Sequence, residues 1–560
     1  MSKRDDSGPQ DDALEPTNPF SEGDIEQRLY RDLGMQPPPY HSQSASSEKT
    51  NSFPEGYVEN RVNEDTNQKR FLVSDLEIRH LDARLLIQPS DLSQFKNRNG
   101  QWERLCRRTS FRDPPGMYIE CLTVTQNKED VSCLITEPLT CELFYDVYTD
   151  FVAVVNRSLA PFYMRRPATT GEDGEPYAEI QPFACLQAGP GAWTFCLQND
   201  VVAFQMMVFP RTFSLALLRP YHIPSLSGSK RRRSEEQQAS IAPTEKEPVV
   251  VKPLGALTEM TDGESVRIAT AGTEEYRVLR MRRSGATRSA EVFQAKVSSY
   301  PDKIVVVKVF KKDSGSIVAR CSSWSGEFSI HRKLRSDVIA ELLGGDARLN
   351  ALFIQWIDAC DLGHKNWRHV ENDRFRGDRT DAIRVLSDMA RALQYLRNEG
   401  VLHNDIKPSN ILYGRDSGAI LIDFGLATSL DGPARVGGTP WYVAPEYLYS
   451  GERKAAAEIW ALGVVMIFLL GKVPLPDLGW QVQSWIIKDM RGSSAVQNRA
   501  TQRMEEWLQV VRDATTSLAT VDTLHSIVLR MLEVRSHRRI PISDLVKAVA
   551  CFRAETPALE

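Results

Sequence analysis

The chain has 560 residues, 42% of them hydrophobic and 25% charged, with a formal net charge of −4. That is an ordinary globular composition. It gives no electrostatic argument for nucleic acid or a membrane surface, and neither is expected as a partner. No run of 18 apolar residues lacks a charge, so no membrane-spanning helix is read; Val464–Leu470 stops at Gly471 and Lys472 and reads as a core helix.

The opening residues, Met1 to Asp6, lack the apolar run of a secretory signal, so the expected location is cytoplasmic, nuclear or both. None of the nine cysteines forms a C-x-x-C pair, which removes the usual zinc spacing and leaves them as small buried hydrophobes.

Residues 1–70 carry 14 Asp and Glu against 8 Lys and Arg, with seven prolines. Such a segment cannot bury enough apolar area to offset its ordering entropy and is expected to be a disordered acidic tail. Within it, Pro37-Pro38-Pro39-Tyr40 fits the P-P-x-Y pattern that WW domains read; an unused linker run is the plain alternative.

Residues 71–225 read as a β-rich domain. Tyr118–Val124, Phe151–Val155, Trp193–Leu197 and Val201–Phe209 are short β-branched or aromatic runs. Turn signals separate them at Asp113–Gly116, Gly171–Gly174 and Gly189–Gly191. Regularly spaced short strands suggest a β-sandwich. Residues 226–271 read as a linker containing the basic cluster Lys230–Arg233, a solvated charge run that also fits a nuclear import signal.

The remaining chain carries a dense set of motifs. Lys308 ends the apolar strand run Ile304–Val307, and Glu327 follows 19 residues later. Ile330 and Leu334 lie at i+3 and i+7 from Glu327, one face of a helix. Then come His403-Asn404-Asp405, Lys407, Asn410, Asp423-Phe424-Gly425 and Gly438-Thr439-Pro440 leading to Ala444-Pro445-Glu446. Buried unpaired carboxylates are costly, so a core would not select this set.

In this order the motifs resemble the catalytic segment of a eukaryotic protein kinase of the serine/threonine type, over residues 272–552, with 553–560 as a tail. The resemblance implies an α+β bilobal fold that binds ATP and Mg2+ between the lobes and transfers the γ-phosphoryl group to Ser or Thr of protein substrates. Lys308 is then the lysine on the phosphates and Glu327 its partner. Asp405 is the catalytic aspartate, Lys407 faces the γ-phosphate, and Asn410 with Asp423 holds the metal. Gly285 and Val292 occupy the glycine-rich loop, where Thr287 and Ala290 replace two glycines. Ile354, Gln355, Trp356 and Ile357 occupy the hinge that binds adenine.

Two further departures stand out. Asn404 replaces the family's arginine and cannot pair with a phosphate on the activation segment, so activity is expected not to require that phosphate. Glu458 replaces an aspartate that ties the catalytic loop, and a slightly displaced loop is expected. Glu446 is expected to pair with Arg539. The competing reading is a pseudokinase scaffold or binding protein acting through the β-rich module. That module is similar in pattern to a forkhead-associated sandwich, but the Gly-Arg and Ser-x-x-His pairs of that family are missing, so phosphopeptide binding is not carried over.

Overall fold

The structure is a computed structural model. It describes residues 83–89, 106–112, 118–166, 177–198, 201–219, 249–286, 289–432, 437–450, 454–479, 486–491, 494–518 and 522–555. The acidic tail, Pro37–Tyr40 and the Lys230–Arg233 cluster lie outside the described residues.

Two antiparallel sheets form the N-terminal unit. Strands β1 (Leu85–Pro89), β2 (Cys106–Arg112), β3 (Tyr118–Val124), β7 (Phe162–Arg165), β8 (Ala178–Ile180), β10 (Gly191–Cys196) and β11 (Val202–Val208) make the first, in the order β2-β3-β1-β11-β10-β7-β8. Strands β4 (Ser132–Ile135), β5 (Cys141–Tyr145), β6 (Val152–Asn156) and β9 (Cys185–Ala188) make the second, in the order β4-β5-β6-β9. Both contribute to one core, with Leu85, Phe195 and Phe204 from the first and Ile135, Leu143 and Val154 from the second.

Strand β6 is buried at every position. An antiparallel sheet commonly leaves one face to water. Here Val152 and Val154 face the unit's own core, while Ala153 and Val155 join a different cluster on the other side.

The next sheet has eight strands in the order β13-β12-β14-β15-β16-β17-β19-β18. Its members are β12 (Phe213–Arg219), β13 (Val249–Leu254), β14 (Ser265–Thr270), β15 (Thr273–Ala286), β16 (Ala290–Val297), β17 (Ile304–Phe310), β18 (Leu342–Asp346) and β19 (Ala351–Gln355). The sequence reading closes the β-rich domain at residue 225 and opens the kinase-like unit at 272. The sheet corrects that division, since β12 pairs with both β13 and β14 and β14 pairs with β15. The β12 pairings are non-local, whereas β14 and β15 form a hairpin through Ala271-Gly272, both at positive φ.

Helix α1 (Ile317–His331) leaves β17 through a short turn, and the Ser316 hydroxyl accepts from Ala319 N to cap it. Leu334, expected on the same helix face, lies beyond the helix end and is buried. The second lobe is helical. Asp378 and Asp381 form a capping box at the start of α2 (Arg379–Asn398). Helix α3 (Ala455–Leu469) is apolar nearly all round and buried from Glu458 to Leu469, as a central core helix should be. Among the described residues no helix is long and apolar enough to cross a membrane.

Candidate active site

Strand β17 sits inside the eight-stranded sheet, which fixes the direction of Lys308. Its ammonium lies 2.9 and 2.7 Å from the two carboxylate oxygens of Glu327 on α1, and 2.7 Å from Asp423 Oδ1. Burial alone would lower the lysine's pKa. The Asp423 and Glu327 carboxylates outweigh it and hold the pKa above its ordinary value, so Lys308 stays charged. The Asp423 carboxyl is held well below the usual range, chiefly by Lys308. The Glu327 side chain is 0% exposed, so Lys308 is what makes its charge tolerable.

A second cluster forms on the loop after Val401–Leu402. Asp405 Oδ1 accepts from the backbone N of Thr439 at 3.1 Å and from its hydroxyl at 3.0 Å. Asp405 Oδ2 accepts from Asn410 Nδ2 at 3.0 Å and lies 2.8 Å from the Lys407 ammonium. Lys407 also donates to the Thr439 hydroxyl at 2.8 Å. Burial opposes the Lys407 charge, but Asp405 outweighs it and raises its pKa.

Asn410 and Asp423 are joined through the backbone, since Ile422 N donates to Asn410 O at 3.0 Å. An amide oxygen and a carboxylate suit a hard divalent cation that keeps waters and takes its remaining ligands from phosphates. Among the described residues no group of three or more His, Cys, Asp or Glu forms a metal cage.

An aromatic chain links α1 to both clusters. The Phe424 ring lies 4.6 Å from the His331 ring and 4.9 Å from the His403 ring. His403 Nε2 bonds to Ile422 O at 3.0 Å, and His331 Nε2 to Ala340 O at 2.7 Å.

Glu458 ties the catalytic loop to α3 despite its extra methylene. Its two oxygens accept from His403 N at 3.0 Å and Asn404 N at 2.7 Å. Asn404 has φ 66°, a left-handed conformation that asparagine tolerates better than most residues. Its side chain donates to Leu426 O at 3.1 Å and Thr428 Oγ1 at 2.9 Å. Where an arginine would wait for a phosphate, a neutral amide ties the activation segment. Arg539 forks onto Glu446 at 2.8 and 2.9 Å.

The nucleotide-side residues lie on the sheet. Val292 pairs opposite Lys308, and Ile354 opposite Val306. Ile354 and Ile357 are buried, and Gln355 is exposed at the strand end. Trp356 N donates to Ile304 O at 3.3 Å. Gly285 pairs with Val292 and is exposed, and an added Cβ would meet nothing within 4 Å, so the backbone there does not demand glycine. Thr287 lies outside the described residues.

Asp477 was not singled out by the sequence. Burial pushes its carboxyl up to about 6, while nearby Lys407 opposes the rise. Tyr442 donates its hydroxyl to it at 3.4 Å. No motif carries Asp477, and only the fold brings it beside the catalytic loop.

A family model described as "Protein kinase domain" matches residues 280–549. Residues 280–549 belong to the protein kinase family. The kinase domain is 29% identical over 197 residues to a calcium/calmodulin-dependent protein kinase type 1 of Macrobrachium nipponense, covering 34% of this chain and 55% of the relative. It is 27% identical over 234 residues to the serine/threonine-protein kinase AtPK1/AtPK6 of Arabidopsis thaliana, covering 41% and 49%. A serine/threonine-protein kinase H1 homolog of Pinctada fucata is 38% identical over 105 residues, covering 17% and 25%. The chain thus spans about half the length of the first two relatives or less of the third. The kinase family uses ATP with a divalent metal.

Proposed function

We propose that this chain is an ATP-dependent protein serine/threonine kinase. The observation that carries the reading is the Lys308–Glu327 pair at 2.7 Å, formed while Lys308 also reaches Asp423 at 2.7 Å. That arrangement aligns the small lobe with the large one.

In this reading Lys308 binds the α- and β-phosphates and Glu327 holds its ammonium in place. Gly285 and Val292 cover the nucleotide, and Ile354 to Ile357 line the adenine edge. Asn410 and Asp423 would hold Mg2+, which supplies charge neutralisation on the phosphates. Lys407 neutralises the γ-phosphoryl oxygens. Asp405 orients the acceptor hydroxyl and takes its proton. Four donors already fill the carboxylate's lone-pair sites, so the acceptor must displace one, and the Thr439 hydroxyl, whose proton can rotate away, is the candidate.

Around this centre we place a forkhead-associated-like β-sandwich formed by the two N-terminal sheets; their shared core supports it. A cytoplasmic or nuclear location fits nine cysteines that are all free thiols.

The test is transfer of labelled γ-phosphate from ATP and Mg2+ to a generic protein substrate, followed by identification of the labelled amino acid. Label on serine or threonine is expected. No transfer by the folded chain across a range of substrates would return the scaffold reading.

A further inference from the structure

The unit that precedes the kinase domain does not sit apart from it. Its β5–β6 loop, residues 146–151, reaches the helix that carries Glu327. Asp146 Oδ1 accepts from Arg320 NH2 at 2.8 Å, with side-chain exposures of only 7% and 6%. The same guanidinium donates through NH1 to Lys312 O at 2.9 Å and Gly315 O at 2.6 Å, the turn that feeds α1. Tyr148 donates its hydroxyl to Phe310 O at 2.7 Å, at the end of the strand carrying Lys308. Cys321 Sγ donates to Tyr145 O at 3.5 Å.

Apolar contact runs between these polar ties. Phe144, Ala153 and Val155 of the β-rich unit share one buried cluster with Ile317, Cys321 and Trp324 of α1. A second loop bonds nearby, where Ala347 N donates to Lys128 O at 2.8 Å and Lys128 lies 2.6 Å from Glu275. On its other side Trp324 donates to Ala351 O of β19 at 2.9 Å. The helix is therefore held between two sheets, one of them outside the kinase domain.

We propose that Asp146, Arg320 and Tyr148 are positioning residues. Through them the β-rich unit holds α1 where Glu327 meets Lys308, so that the unit is a built-in clamp on the catalytic ion pair. The proposal rests on the kinase reading for its catalytic consequence, but not for its structural one. A buried ion pair with one partner on each unit is sensitive to the loss of either, because the remaining charge is stranded. Arg320 sits seven residues, about two helical turns, before Glu327, so movement at one end of this face carries to the other.

The experiment uses the full chain. Asp146→Ala and Arg320→Ala are each expected to lower kcat about tenfold or more with the KM for protein substrate unchanged; Tyr148→Phe, which deletes one hydroxyl, is expected to give a smaller fall. The pair Asp146→Arg with Arg320→Asp is expected to recover part of the loss. The decisive arm is a cycle with Glu327→Ala. If the clamp acts through Glu327, Asp146→Ala costs little further activity in that background; a purely structural role would multiply the two losses and overturn the proposal. Amide hydrogen exchange supplies an arm that needs no catalysis. Asp146→Ala should speed exchange across residues 317–331 while leaving 455–469 unchanged. Unchanged exchange in α1 would overturn the clamp. Faster exchange in α1 of Asp146→Ala, with a wild-type chain that transfers no phosphate, would keep the clamp and sink the kinase reading instead.

Discussion

The catalytic cleft and the seam under the β-rich unit both depend on ion pairs held away from bulk water, but they are built differently. In the cleft the central charges have several partners. Lys308 meets two carboxylates, and Asp405 meets Thr439, Asn410 and Lys407. At the seam the ion pair buried on both sides is Arg320–Asp146, set among apolar side chains and steadied by Arg320's bonds to two carbonyls. Redundant charge lets groups exchange partners as substrate arrives. A single buried pair sets a position and tolerates no exchange.

Lys308→Ala gives the largest expected effect on the cleft. It should lower kcat/KM by about 10²–10³. It also takes the Lys308 ammonium away from the fully buried Glu327 carboxylate, so chemical unfolding should show a loss of roughly 3–5 kcal/mol. Asp423→Asn sharpens the contrast. It should remove activity comparably, yet cost stability only about 1 kcal/mol or less, because Glu327 still pairs with Lys308 and the Asp423 side chain is 41% exposed. A matching stability loss in both variants would contradict the redundancy argued for the cleft.

The kinase motifs were legible because their order and spacing resemble those of a known family. Lys308, Glu327, Asp405, Asn410 and Asp423 took their expected roles from that resemblance, and the fold draws them into two adjoining clusters. The clamp was not legible, since Asp146 and Arg320 are 174 residues apart and neither belongs to a motif. One local signal did point there. The unbroken run Val152–Val155 is too apolar for a strand with a wet face, and the helix that covers it is α1. Strands β12 and β13 escaped for a related reason, because short strands separated by a long connection look alike whichever sheet they join, whereas β14 carried a local signal in the Ala271-Gly272 turn to β15.

His331 adds a pH dependence between the two regions, since it lies on the clamped helix and touches Phe424. Burial first, with the charges of Lys308, His403 and Arg335 assisting, lowers its pKa to about 4, against a hydrogen bond to Ala340 O that favours the proton. The folded state thus refuses a proton that the unfolded chain accepts near pH 6.5. Its stabilising contribution is present above about pH 6.5 and is lost as pH falls through about 4, a change of roughly 3 kcal/mol. His331→Leu should flatten that part of the stability–pH curve measured by urea unfolding; an unaltered curve would rule His331 out as its source.

The smallest effect belongs to the activation segment. Thr428→Val removes the hydroxyl that accepts from Asn404, a bond of about 1 kcal/mol, and should reduce kcat only a few-fold. Phosphatase treatment of the wild-type chain should leave the rate unchanged. A large fall on dephosphorylation would show that a phosphate, not Asn404, orders the segment.

The most direct measurement compares wild type with Asp405→Asn for nucleotide affinity in Mg2+ and for phosphate transfer to protein. The expected result is similar ATP affinity in both and a transfer rate about 10²–10⁴ lower in the variant, as loss of an acid–base group predicts. Equal transfer by the two proteins would contradict the assignment of Asp405 and, with it, the catalytic reading of the cleft.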